Sequence, residues 1–280
     1  MKVTVLKALL LPIALLALGS INHASAATCN SSYTMAAVTT PGFSCTFNFL
    51  TFSNFNYLPS VSLMSGCGGV GEPACPPETT LPDPALDITV NFSTMTGGSD
   101  GFGTLASPAN PITQVITDFS AGNSVNEFQN EMGVVQYLVT GFGSSVITEV
   151  DAAITGLATE GAMGEMNNNL CVGMQFGGGS SPNGSCPGTE DMAAQELALT
   201  NPAGEQADGT PDFQSILLSS AGVYDEWDLS GGNTDPTSTA NVTAIENDFI
   251  NTPGIPEPGT FALLGAGLFS LGAFRRKKKL

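Results

Sequence analysis

Between positions 27 and 255 the reactive side chains are of three kinds: carboxylates, hydroxyls and thiols. Of the 25 Asp and Glu, 24 lie there, Glu257 being the other. None of the 7 Lys and Arg does, because Lys2, Lys7, Arg275, Arg276, Lys277, Lys278 and Lys279 account for all of them. The single histidine is His23. The formal charge of −18 for the whole chain therefore understates this body, whose 24 acidic groups meet no basic one. Such an inventory rules out a Ser-His-Asp or Cys-His nucleophile and a Schiff-base lysine. It holds no Lys or Arg to contact phosphates, so nucleic acid is not an expected partner, and anionic lipid is not one for the body. Two carboxylates alone suffice for a glycosidase, so a glycan hydrolase stays open as an alternative. The body nevertheless brings only one Trp and four Tyr to sugar contacts. We expect no catalytic and no cofactor-binding residues. Oxygen-rich surfaces suit calcium, and Asp225, Glu226 and Asp228 with Asp235 are its candidate ligands, the alternative being a solvated acidic loop. Trp227, in the middle of that run, reads as sheet packing rather than as a sugar platform.

The thiols are Cys29, Cys45, Cys67, Cys75, Cys171 and Cys186. An even count in an exported chain predicts three disulfides. Six cysteines allow 15 pairings, and short loops favour the sequential set, Cys29–Cys45, Cys67–Cys75 and Cys171–Cys186. No Cys-x-x-Cys pair occurs, which argues against a metal site.

Positioning these groups falls to short alternating runs. Ser44 to Phe49, Phe52 to Leu58, Leu86 to Phe92, Val135 to Thr140, Val146 to Ile154, Tyr224 to Leu229 and Ala240 to Phe249 read as strands. In the fifth of these, Val146, Thr148 and Val150 share one face against Ile147 and Glu149. Gly- and Pro-rich stretches such as Thr96 to Gly101 separate the runs. Two segments read as helices: Ser124 to Glu127, a capping-box pattern with Phe128 and Met132 four apart, and Thr189 to Leu199, with Glu190 and Asp191 in a first turn. The expectation is a mainly β chain: an antiparallel β-sandwich ectodomain with short helical decorations over residues 27–252.

Both ends carry processing signals. Lys2 and Lys7 precede an apolar stretch, Ala8 to Leu18, and Ala24-Ser25-Ala26 closes a secretory signal peptide over residues 1–26, so the Sec translocon is the expected export partner and the mature chain begins at Ala27. Cys29 lacks the small-residue box of a lipoprotein directly before it. At the other end, residues 253–280 combine the polar motif Pro256-Glu257-Pro258-Gly259-Thr260, an uncharged segment from Pro258 to Phe274, and the basic run Arg275 to Lys279. The uncharged segment is 17 residues long, the lower limit for a transmembrane helix. The basic run keeps its end in the cytoplasm and leaves the body on the far side. Ala262, Ala266 and Ser270, spaced by four, offer a face for another membrane helix.

This tail resembles the PEP-CTERM sorting domain in the composition, order and terminal position of its three parts, with Ala262 to Leu268 matching the Leu/Gly/Ala-rich segment. The resemblance implies recognition by exosortase, a membrane-embedded cysteine protease or transpeptidase, in a Gram-negative bacterium that makes an exopolysaccharide. Glu257 and its neighbours would then be the recognition and cleavage region of a substrate. A second resemblance is shorter. Cys45-Thr46-Phe47 followed by Leu50 to Tyr57, then Gly141 to Glu149, then Ala244 to Ile250, look like three phrases of a common exosortase-dependent surface-protein module. That module implies a β-sandwich running up to the sorting signal, and the chain departs from it between Met163 and Ser220. Together these imply an exported protein, anchored transiently in the membrane, then delivered to the cell surface or matrix. A structural or adhesive role in biofilm follows as the leading expectation, with exopolysaccharide as a further partner. The alternative is a lectin-like carbohydrate-binding module.

Overall fold

The computed structural model describes residues 26–63, 81–99, 105–106, 111–120, 124–143, 145–159, 161–174, 186, 189–198, 204–207, 213–232 and 237–252. Residues 1–25 of the expected signal peptide, the sorting signal and the Cys67–Cys75 pair lie outside these residues.

The strands, in chain order, are β1 (Ala27–Thr28), β2 (Ser32–Thr34), β3 (Ser44–Phe47), β4 (Leu50–Leu63), β5 (Ile88–Met95), β6 (Gly98–Ser99), β7 (Leu105–Ala106), β8 (Ile112–Phe119), β9 (Ser124–Asn126), β10 (Gln129–Gly141), β11 (Val146–Ala158), β12 (Met163–Val172), β13 (Thr189–Ala198), β14 (Gly204–Ala207), β15 (Phe213–Leu218), β16 (Ser220–Ser230) and β17 (Thr239–Thr252). One helical turn, α1 (Met35–Val38), follows β2, and the Thr34 hydroxyl caps it by accepting from the Ala37 N–H.

One sheet runs β1-β3-β4-β10-β16-β12-β13. The other runs β14-β11-β17-β8-β5-β2, with β15 also on β11 and β9 also on β17. β6 and β7 pair with each other. Pairing is antiparallel except between β1 and β3. The mainly β, antiparallel expectation therefore holds for the body. The apolar faces of the two large sheets meet in one core. Phe52 of β4 lies 5.2 Å from Phe92 of β5 and 5.9 Å from Phe249 of β17. Phe119 of β8 meets Trp227 of β16 edge-on at 5.1 Å. Such aromatic pairs each add about 0.5–1.5 kcal/mol beyond their buried area.

All seven strand expectations fall on strands, most of them longer than the pattern indicated. The face of β11 differs. The register against β17 shifts between Ile147 and Glu149, so Ile147, Val150, Ala152 and Ile154 join the core. Thr148 sits at the irregularity and its hydroxyl donates to the Ile250 carbonyl. A bulge of this kind changes which alternate residues face inward.

Both helical expectations are corrected. Ser124–Asn126 is β9, paired with β17. A turn follows in which Gln129 Oε1 accepts from the Asn126 N–H and Phe128 takes a φ of 62°. The Ser-x-x-Glu spacing that caps a helix here leads into a strand, because sheet pairing on both sides of β10 outweighs a local cap. Thr189–Ala198 is β13, laid along β12 from Val172 to Glu165. The Cys171–Cys186 disulfide holds its approach against β12.

Cys29–Cys45 is also formed, and among the described residues no cysteine is free. The bond ties the chain just after β1 to β3, and Cys45 is buried. It closes a loop with a sequence separation of 16. Replacing both cysteines with serine is expected to lower unfolding free energy by about 3 kcal/mol. Urea denaturation of the mature chain measures this, and a loss below about 1 kcal/mol would show that β1 contributes little to the fold.

Candidate functional site

The acidic run named from the sequence is not a loop. Asp225, Glu226 and Asp228 lie on β16, whose side chains alternate between the two faces of its sheet. Asp225 shares the inner face with Val223, Trp227 and Leu229 and is buried. Glu226 and Asp228 face the other way and are half-buried. The sheet thus separates Asp225 from its two neighbours, and Asp235 lies outside the described residues. Among the described residues no group of three or more Asp, Glu, His or Cys is placed to hold a metal ion. On the outer face Asp228 stands beside Glu165 of β12 in register. Tyr224 donates from its hydroxyl to Glu226 at 2.9 Å. Burial raises the carboxyl pKa of Glu226 and Asp228 above the ordinary range, with the Tyr224 hydrogen bond working the other way at Glu226.

Asp225 belongs instead to a polar cluster inside the core. Asn168 of β12 is its register partner and donates to its Oδ1. Asn247 of β17, in the opposite sheet, donates to its Oδ2 at 2.8 Å. Asn168 also donates to Asn247 Oδ1 at 2.9 Å, which closes a ring of three side chains, none more than 2% exposed. The ring fastens the two sheets together by directed bonds. Burial pushes the Asp225 carboxyl up to about 7, while the two amide donors pull it down. Tyr137, also fully buried, has its phenol pushed well above its ordinary range, first by burial and then by the Asp225 and Asp248 charges. Sealed from solvent, this cluster holds a geometry between the two sheets.

A second inward acid is Glu131 of β10, also pushed up to about 7 by burial, with the Trp227 indole beside it acting in the opposite direction. The sequence reading missed Asn168, Asn247 and Glu131. For Asn168 and Asn247 the signal was phase, each taking an inward position between apolar neighbours, as in Met166-x-Asn168-x-Leu170 and Ile245-x-Asn247-x-Phe249; Glu131, between Gln129 and Gly133, carried no such signal.

Ala26 is the first described residue and Ala27 opens β1, so the expected cleavage point abuts the first strand; Ala24 lies outside the described residues. At the other end β17 stops at Thr252. Comparison with protein families matches residues 254–277 to the PEP-CTERM protein-sorting motif. The chain carries a PEP-CTERM motif. Pro256, Glu257, Pro258, Gly259 and the basic residues Arg275 to Lys277 fall within the match, and Lys278 and Lys279 just beyond it. The motif implies an exported protein, sorted through a membrane-anchored signal with exosortase as processing partner, that reaches the cell surface. No curated protein matches the chain. Among the described residues no helix is long and apolar enough to cross a membrane, and the segment expected to do so, 258–274, lies outside them.

Proposed function

We propose that the exported body is a non-enzymatic structural or adhesive component of the biofilm or exopolysaccharide matrix of a Gram-negative bacterium. The observation that carries this reading is the PEP-CTERM motif set directly behind a body with 24 acidic groups and no basic one. A polyanion delivered among anionic polysaccharides repels them unless cations intervene. Calcium between surface carboxylates of protein and matrix supplies that link and needs no preformed cage. Glu226, Asp228 and Glu165 on the outer face are partly exposed to it, whereas buried Asp225 is not. Catalysis by paired carboxylates calls for two acids across a cleft; Glu226 and Asp228 instead lie along a sheet face.

Two measurements test the reading. The intact mass of the mature chain, from cells with and without their exosortase, reports the terminus. A C-terminus near Pro256 to Pro258 that is lost without the protease supports sorting. A chain ending at Leu280 in both strains sinks it. Chelation of calcium is expected to release the mature protein from isolated matrix, and undiminished association after chelation would end the bridging mechanism.

A further inference from the structure

β3 covers the edge of β4 only as far as Ser53, which pairs with Ser44. Beyond that point β4 carries an irregularity: its register against β10 shifts between Gln136 and Leu138, and Asn54 takes a φ of 56°. Residues 39–43, leading from α1 to β3, curl beside this opening, and Phe43 packs edge-on against Phe55 at 5.9 Å. A cleft of about 340 Å3 results, within the rough 300–1,000 Å3 range of small-ligand pockets. Its polar walls are Thr39, Thr40, Asn54 and Asn56, with Phe43 as an aromatic wall and Gln136 at the base. Gln136 is only 2% exposed and its Oε1 has no hydrogen-bond partner. A buried amide acceptor left unmade costs about 1–3 kcal/mol; end-for-end rotation of the Gln136 amide presents that oxygen to the cleft, where an occupant that donates to it recovers the cost.

The lining holds no Asp and no Glu, although the body has 24 of them. A cation therefore meets no carboxylate here, and an anion meets no basic group. Carboxamides and hydroxyls both donate and accept, which matches vicinal hydroxyls, and an aromatic wall suits the apolar face of a pyranose ring. We infer that this cleft is a binding subsite for an uncharged saccharide, such as a short stretch of neutral glycan chain. The inference stands on the cleft itself and holds whether or not the body is bridged to the matrix by calcium.

The test is binding of the mature protein to maltohexaose, cellohexaose, mannohexaose and chitohexaose, read by saturation-transfer NMR and calorimetry in the presence of chelator. At least one is expected to bind saturably. Gln136→Leu keeps the volume and removes the unpartnered acceptor, so the variant should be no less stable than the parent while binding about tenfold more weakly, the loss of one or two hydrogen bonds. Asn54→Gly, which suits the positive φ, should weaken binding without loss of fold. No binding by any of the four, or equal binding by parent and both variants, overturns the inference. Binding of polyuronate only, and only with calcium, also overturns it, while leaving the bridging mechanism intact.

Discussion

Raising the pH from about 5 to about 8 is expected to destabilise the folded chain. Asp225 titrates near 7 when folded and near its ordinary 3.8 when unfolded, so within this window the native state holds a proton that the unfolded state has lost. Stability contributed this way is complete below about pH 4 and is lost as the pH climbs through about 7. A shift of about three pKa units corresponds to something on the order of 4 kcal/mol. Glu131, also raised to about 7 by burial, acts in the same direction. Acidification also relieves repulsion among the surface carboxylates. Asn168 Oδ1 accepts from no group, and a protonated Asp225 brings a donor into that cluster. Equilibrium unfolding across the window measures the slope, and stability that rises toward pH 8 would refute the assignment. Asp225→Asn should flatten the curve, leaving the Glu131 share. Asp225→Ala should cost about 3 kcal/mol near pH 5, where two buried amides lose their acceptor. Nearer pH 8 the loss should shrink, since the variant no longer buries a charge.

Gly133→Val is expected to prevent stable folding at ambient temperature. A Cβ built on Gly133 would sit 1.9 Å from Trp227 Cζ2. The indole cannot retreat, because Tyr57 stacks on it at 6.2 Å and Phe119 meets its edge at 5.1 Å. Overpacking typically costs about 1–3 kcal/mol, but here the overlap is with a fully buried ring wedged between two others. Removing the ring instead, by Trp227→Ala, should cost about 3–5 kcal/mol. The double variant Gly133→Val with Trp227→Ala should recover part of the loss, because each change relieves the other. Trp227 is the only Trp in the chain, so its fluorescence reports packing at this point for the Gly133 variant. A folded Gly133→Val protein with unchanged emission would show that the sheets part more easily than this packing allows.

Much of the architecture could be read in the chain. The start of β5 carries apolar residues in alternation, Ile88, Val90 and Phe92, which is a local signal. The sorting motif is legible for a different reason: a processing enzyme reads a short linear stretch, so order and composition are the function. The helical misreadings at Ser124 and Thr189 arise where a local capping or charge pattern meets a demand for sheet partners. β12 without β13 would present an open edge, and no window of sequence states that demand. The polar cluster was illegible because its bonds join Asp225 to residues 57 and 22 positions away. Three charges flanking one Trp read as surface, although the phase set by Val223, Trp227 and Leu229 places Asp225 inward. The cleft depends on the irregularity in β4, which alternation alone conceals.

β17 has neighbours on both sides, β11 along its length as far as Thr252 and β8 from Ala244 to Ile250. The PEP-CTERM match begins at residue 254, so almost no slack separates the sorting signal from this central strand. Hydrogen bonds between antiparallel strands run across the strand direction. Tension applied at the C-terminal end therefore pulls along β17 and loads its pairs on both flanks together, in shear. They cannot be unzipped one at a time from that end. At the opposite terminus β1 is a two-residue edge strand that would peel under the same force, and the Cys29–Cys45 bond stops the peeling almost where it starts. A chain held at its last strand and stapled at its first would meet tension by shear across two strand interfaces rather than by stepwise unzipping.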